Sequence, residues 1–500
     1  MSTAILFHYA TKYAPETMGG QPEPDWEHQP QAWKDYDLDD AVALAPFLPF
    51  DPNPFTGEAR GACAADAACS GATLGALARL IYYTYGVTGA IPGDERTTYL
   101  RAAPSAGGLY PTEMYVVVRE LPGIAPGLYG YHPLRHALVP IAAVDEVAER
   151  VTAACYGDAA VAAAPVLLVF TGVFARSRWR YHERAYRRVL LDTGHVLGNA
   201  QLAANVLGLR HHLTAAFCDE RLNHCLGLTA AQEGALAVLA LNRPGECERP
   251  SWRALPSPVG PEDAAPPLLD ALHRASRCPA DRPRPVVDGD GCAELANGSH
   301  GLAVGVHLDG GAPPALAGRE LDTILHRRST RRFRPGRFPR AALARILAAA
   351  YAPDKAGLGS CPGLDVRRLH TFVATLGVDG LAPGVHYLAP CGLELRPVRP
   401  GMTREEMAFL CLGQDLGRDA AAAVIHVADL EAAVRAQGDR AYRYLHLDAG
   451  LIGERLDLAA LAEGGGASGI GGFFDDNVTA VLGLPPKQAV LYITVLGVPG

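Results

Sequence analysis

Apolar and polar positions alternate along this chain with helical and strand periods, and the same succession of periods occurs twice. Leu74–Tyr85 and residues 341–351 each carry Leu-Ala-Arg among apolar neighbours at helical spacing, which predicts a helix in each place. Short runs rich in β-branched and aromatic residues follow, 114–118 and 370–375, and predict strands. Longer apolar runs come next, 162–170 and 420–427, and read as buried strands with their lead-ins. A helix bearing Arg-Ala-Tyr-Arg, with Leu-Asp-x-Gly inside it, succeeds each run, and a last strand closes each half at 236–241 and 490–496. Gly194 and Gly198 lie inside the first of these helices. Each costs about 1 kcal/mol of helix propensity, which predicts close packing against another helix.

The repeat is also literal. Gly123-Ile-Ala-Pro-Gly-Leu-Tyr returns as Gly380-Leu-Ala-Pro-Gly-Val-His, and 380 − 123 = 257. Arg184-Ala-Tyr-Arg returns at Arg440, and 440 − 184 = 256; Leu191 to Gly194 matches Leu447 to Gly450, and Gly227-Leu228 matches Gly483-Leu484, at the same offset. Ala76-Leu-Ala-Arg and Ala342-Leu-Ala-Arg differ by 342 − 76 = 266. So long a period means duplicated domains rather than a solenoid. The expected organisation is an N-terminal extension at 1–60, a first domain at 61–245, a proline-rich linker at 246–316 and a second domain at 317–500. Residues 266–277 could hold one helix within the linker. Strands mixed with helices predict an α+β or α/β architecture.

Composition narrows the function. Hydrophobic residues are 49% and charged residues 20% of 500, the balance of a globular protein with ample core. A net charge of −8 argues against a nucleic-acid partner. The N-terminus lacks the pattern of a signal peptide, and no run approaches the ~20 apolar residues of a membrane span. The 11 cysteines include no C-x-x-C pair, so zinc spacing is absent and a reduced, cytoplasmic setting is expected. His182, His195, His211 and His212 show no metal-ligand spacing, and no metal is expected. Gly464-Gly465-Gly466 lacks the Gly-Lys-Ser/Thr ending of a phosphate loop.

Three motifs carry candidate chemistry: Arg101-Ala-Ala-Pro-Ser-Ala-Gly-Gly-Leu-Tyr in the first half, Arg327-Arg-Ser-Thr-Arg-Arg-Phe and Gly469-Ile-Gly-Gly-Phe-Phe-Asp-Asp in the second. Together they resemble the nitroreductase superfamily. The Pro-Ser-Gly block followed by Ala-Pro-Gly-Leu-Tyr resembles its SagB/ThcOx branch, the azoline dehydrogenases of peptide natural-product pathways. The resemblance implies two fused nitroreductase-like domains, each a mixed sheet flanked by helices, forming an intrachain pseudo-dimer with FMN at the interface. It assigns Arg327, Arg328, Ser329 and Arg331 to the phosphate and ribityl chain. Gly469, Ile470, Gly471 and Gly472 fall to the flavin ring, and Pro104, Ser105, Ala106 and Gly107 to the opposing wall. The residue types suit those roles. Guanidinium groups bind phosphate bidentately and stay charged. Arg327, Ser329 and Arg331 alternate, so an extended segment would point all three one way. Glycines let backbone approach a flat ring without Cβ obstruction, and the Gly471 N–H could bond flavin N5.

The two halves have lost these motifs in complementary fashion. The 266 offset sets Gly61-Ala-Cys-Ala-Ala-Asp-Ala against the arginine motif, and the 256 offset sets Leu213-Thr-Ala-Ala-Phe against the glycine motif. The 257 offset sets Cys361-Pro-Gly-Leu-Asp against Pro104 to Gly108. One composite site retains all three elements and the other none, which predicts one FMN per chain.

In the azoline dehydrogenases a lysine–tyrosine pair precedes the Arg-Ala-Tyr-Arg helix. The matching positions are Arg180 and Tyr181 here, and Gln437-Gly438 in the second half. Arginine essentially cannot deprotonate, so it cannot replace a lysine base. Either Tyr181 serves as a phenolate favoured by Arg180, or Arg180 anchors an anionic substrate. The expected activity is FMN-dependent dehydrogenation of an azoline-like heterocycle or amino-acyl unit on a peptide or carrier protein, alongside a partner biosynthetic enzyme. The alternatives are an NAD(P)H-dependent nitro or quinone reductase, and a non-catalytic scaffold of a biosynthetic complex. Whether the pseudo-dimer pairs further stays open, as does whether the segment with Trp26 and Trp33 contacts substrate or covers the second domain.

Overall fold

The computed structural model describes residues 2–16, 18, 24–55, 73–93, 96–142, 146–242, 267–278, 305–308, 316, 318–351, 363–389 and 393–500. The segment 61–67 and residues 361–362 lie outside these, as does most of the predicted linker.

Each half builds an antiparallel sheet on one long helix. The first sheet has seven strands in the order Val42–Ala43, Ala137–Ala142, Gly127–His132, Thr112–Val118, Val166–Val173, Glu233–Asn242, Arg210–Thr214. In the second, Glu394–Pro400, Gly384–Leu388, His370–Thr375, Ala422–Asp429 and Gln488–Pro499 follow the same order, with Gly466–Ile470 also on the last of them. Among the described residues every strand ladder is antiparallel, where mixed sheets were expected. Connections as short as 119–126, between Thr112–Val118 and Gly127–His132, permit only antiparallel pairing. The predicted helix Leu74–Tyr85 forms as read, its N-cap Thr73 accepting from the Ala76 N–H.

The two long helices, Ala185–Val206 and Ala441–Ala462, cross at their glycines. A Cβ on Gly194 would stand 2.3 Å from the Leu447 carbonyl oxygen and 2.8 Å from the Gly450 Cα, and one on Gly450 would stand 2.2 Å from the Leu191 carbonyl oxygen. The glycines predicted to buy close packing thus mark the axis of the pseudo-dimer.

Reciprocal ion clamps flank that axis. Arg184 and Arg187 of the first half hold Asp475 of the second, each at 2.7 Å. Arg440 and Arg443 of the second half hold Asp219 of the first. All six side chains are buried. The Arg-Ala-Tyr-Arg motif is therefore an interface motif. Helix Leu268–Ala275 forms within the predicted linker, but it is no surface element: Leu269 and Leu272 are buried, and Arg443 donates to the His273 carbonyl and the Ser276 hydroxyl. The N-terminal helix Thr3–Ala10 lies on the second half, where the Asp439 carboxylate accepts from the Ala4 N–H at 2.8 Å.

Candidate functional site

A cavity of about 490 Å³ opens between the halves. Its wall includes Pro104, Ser105, Ala106 and Gly107, then Arg180 and Tyr181, from the first half, and Ser329, Arg331 and Gly469 to Gly472 from the second. All three sequence motifs thus reach one cavity.

Local structure sets each part. The Ser105 hydroxyl donates to the Asp192 carboxylate at 2.6 Å and accepts from the Tyr110 N–H at 2.8 Å, while the Ala106 N–H donates to Asp192 at 3.1 Å. Gly107, at φ 67°, supplies the left-handed turn. Burial pushes the Asp192 carboxyl up to about 7, against the Ser105 hydroxyl, the Ala106 N–H and Arg188. Across the cavity, the Thr330 N–H donates to the Ala467 carbonyl at 2.8 Å and the Thr330 side chain fills the space beside Gly466. Alternation then leaves Ser329 and Arg331 on the cavity side. A Cβ on Gly469 would stand 1.6 Å from the Tyr492 hydroxyl, and one on Gly471 would stand 1.5 Å from an Arg188 guanidinium nitrogen. Glycine there makes room for those two groups.

Two predicted residues do not reach the cavity. Arg327 caps the C-terminus of helix Glu320–His326, so the strand-like alternation expected of it breaks at this position. Its buried guanidinium donates to the Ala102 carbonyl at 2.8 Å and the Arg101 carbonyl at 3.1 Å. Arg328 turns outward and donates to the Thr88 carbonyl at 2.6 Å and to the Leu325 carbonyl at the end of its own helix. Both arginines therefore pin the second half to the first.

Arg180 and Tyr181 end helix Phe174–Tyr181, which His182 breaks at φ 48°. The Tyr181 hydroxyl packs against Gly107. The phenolate expectation fails on electrostatics: burial raises the Tyr181 hydroxyl and outweighs the opposing guanidinium groups of Arg188 and Arg180, so it keeps its proton. Arg180 stands 5.5 Å from the ring centre of Trp26, and exposed Trp26 meets Trp179 edge-on at 5.2 Å. Of the N-terminal segment, Tyr13 and Trp26 line the cavity, Thr3–Ala10 lies on the second half, and Trp33 meets Tyr99 of the first half edge-on at 5.7 Å.

Sequence reasoning missed Arg188, Asp192, His195 and Tyr492, all of which line the cavity. The 256 offset held a signal for two of them, since it sets Arg188 and His195 against Tyr444 and Leu451; the strand register sets Tyr492 against Ala237. Among the described residues, side chains occupy the pseudo-equivalent position. Ala215 and Ala216 stand where Gly471 and Gly472 do, and a Cβ on Gly363 would stand 2.9 Å from the Tyr444 ring and 3.2 Å from the Ala215 Cβ.

A sheet-and-helix pair duplicated about an axis, with a cavity shared between the copies, defines a fused two-domain α+β protein. The nitroreductase family model matches residues 49–241 and 324–498. The chain belongs to the nitroreductase family. It is similar over 100% of both chains to the crystal structure of a nitroreductase homologue from Anabaena variabilis, at 38% identity and a TM-score of 0.84. It is 32% identical over 147 residues to the trifolitoxin-processing protein TfxB of Rhizobium leguminosarum bv. trifolii, a match covering 29% of this chain and 39% of that protein. It is 30% identical over 157 residues to the microcin B17-processing protein McbC of Escherichia coli, covering 29% of this chain and 54% of that protein. Both matches span less than two thirds of those relatives. Among the described residues no helix is long and apolar enough to cross a membrane.

Proposed function

We propose that the chain is an FMN-dependent dehydrogenase or oxidase acting on a peptide- or carrier-bound substrate within a biosynthetic assembly. The observation that carries the reading is the single cavity walled by the Pro104–Gly107, Ser329–Arg331 and Gly469–Gly472 segments, set against a pseudo-equivalent position filled by Ala215 and Tyr444. The cavity residues suit FMN. Its volume is in the range of cofactor sites. Ser329 and Arg331 offer a hydroxyl and a guanidinium for a phosphate, and the glycine run offers a wall whose own N–H groups can approach a ring. FMN bound there would supply a hydride acceptor.

The chain's own residues divide the remaining work. Asp192 fixes the Ser105–Ala106 wall through two hydrogen-bond donors. Tyr181, protonated, donates a hydrogen bond to a substrate heteroatom. Arg180, held against Trp26, neutralises an anionic substrate group at the cavity mouth. The names of TfxB and McbC support a processing role, and the family supports redox chemistry.

Flavin content of the purified chain tests the reading. The expected result is close to one FMN per chain, lost in Arg331→Ala and Ser105→Ala alike. Two FMN per chain would overturn the single composite site, and a colourless chain that cannot be reloaded would favour the scaffold alternative.

A further inference from the structure

Beneath the cavity floor lies a buried polar cluster that the proposed roles do not use. Glu454 and Asp457, one turn apart on the second long helix, approach His195 on the first, with one ligand-type atom of each within 4.8 Å of the others. Asn199, one turn beyond His195, sits beside Glu454. The nearest cation is Arg327, whose Nε stands 3.8 Å from Glu454 Oε1. His195 Nε2 lies 3.3 Å from the Tyr492 hydroxyl, and both residues line the cavity. His195 Nδ1 is engaged with the Leu191 carbonyl at 2.8 Å, so Nδ1 carries the proton and Nε2 accepts.

Charge counting shows the cluster to be incomplete as a set of ions. Two fully buried carboxylates face one guanidinium, and a net buried charge is costly. Among the described residues no close hydrogen bond reaches either oxygen of Glu454, one of Asp457 or one Arg327 nitrogen, and the Asn199 amide is the neutral polar group set beside Glu454. The pseudo-symmetry shows that this expense falls on one side alone. The 256 offset places Gly198 and Gln201 against Glu454 and Asp457, and Leu451 and Arg455 against His195 and Asn199. The cluster exists only under the cavity that stayed open.

We propose that the Glu454–Asp457 pair stores one exchangeable proton and that His195 Nε2 and the Tyr492 hydroxyl form its outlet to the cavity. The step moves a single proton and no electrons. A dehydrogenation gives up a hydride and a proton; the pair at rest already holds its one proton, so the second carboxylate, still ionised, accepts the released one, relayed past Tyr492 and His195. Only this use rests on the proposed function; the store itself stands on geometry. Burial raises Glu454 well above the usual carboxylate range and Asp457 to about 6, each opposed by Arg327, and lowers His195 to about 4. The charged groups facing the cluster are Arg327, then His426 across from His195, with Asp192 and Arg188 acting on Tyr492 from the cavity.

Difference infrared spectroscopy of the full chain at pH 7 tests this without any cofactor. Asp192 and Asp448 also contribute protonated-carboxyl bands, so the assignment uses variants. The expected result is one band lost in Glu454→Gln or, should that variant not fold, in Asp457→Asn. Its hydrogen–deuterium exchange should slow at least tenfold in Tyr492→Phe and His195→Leu. A spectrum unchanged by both carboxylate variants overturns the store. Exchange unchanged in both outlet variants overturns the outlet. A stoichiometric divalent metal in the purified chain, lost in Asp457→Asn, overturns the proton in favour of a cation. Flavin content is a separate measurement, so failure of the cofactor reading and failure of the proton store are told apart.

Discussion

Replacing Asp219 by alanine removes the anion from one of the two reciprocal clamps and leaves Arg440 and Arg443 buried without it. The carboxylate accepts from both guanidinium groups and from the Cys278 N–H at 3.0 Å. Burial alone would raise its pKa, but Arg440 and Arg443 overcome that and hold it at about 2, against an ordinary 3.8. That difference corresponds to about 2 kcal/mol favouring the charged form. Truncation costs more, because two desolvated cations remain, and breaking such a buried pair typically costs 3–5 kcal/mol. The expected loss at pH 7 is therefore about 4 kcal/mol, read as a lower urea midpoint at unchanged slope. Because the folded pKa is depressed, the parent's advantage is present above pH ~4 and fades as pH falls toward 2. Asp475→Ala should cost a similar amount. On the proposed function it should also lower FMN content, since Arg184, which Asp475 holds, reaches the Gly471 carbonyl at 3.4 Å. A loss below ~1 kcal/mol for Asp219→Ala at pH 7 would refute the clamp reasoning, since breaking a buried pair cannot be so cheap.

Gly194→Ala should destabilise the chain by about 3 kcal/mol, because the new methyl meets backbone rather than a side chain that can turn away; thermal unfolding reads this directly. Asp448→Asn should do the reverse, and only at higher pH. Burial raises Asp448 to about 7, so the folded parent binds the extra proton between pH ~4 and ~7 and loses stability as pH rises through that window. The asparagine variant should match the parent near pH 4 and exceed it by roughly 2–4 kcal/mol at pH 8, measured by denaturation at both.

Much of the fold was legible because a duplication writes its own alignment. Arg184 and Arg440 marked the repeat, and the glycines inside the long helices marked the crossing before any coordinates did. The walls of the cavity were legible for the same reason, since each motif survives in one half only. What stayed hidden depends on direction rather than residue type. Arg327 has the chemistry of a phosphate ligand, but it ends a helix, and that turns its side chain into the core. Tyr181 has arginines beside it, but burial outweighs them, and burial cannot be read from neighbours in sequence. Arg188 reaches the cavity through space vacated by Gly471, a contact that spans the two halves of the chain, and Tyr492 through space vacated by Gly469 on the neighbouring strand.

One pair on the axis bears on how such a chain can evolve. Gly198 and Glu454 occupy the same place in the repeat, and they touch: a Cβ on Gly198 would stand 3.0 Å from the Glu454 Cβ. A dimer of identical subunits must carry every substitution twice, so glutamate would collide with glutamate there, and glycine opposite glycine would leave a hole. Covalent fusion lifts that constraint. Each half can specialise as the mould for the other, and neither half, copied and paired with itself, could rebuild this contact.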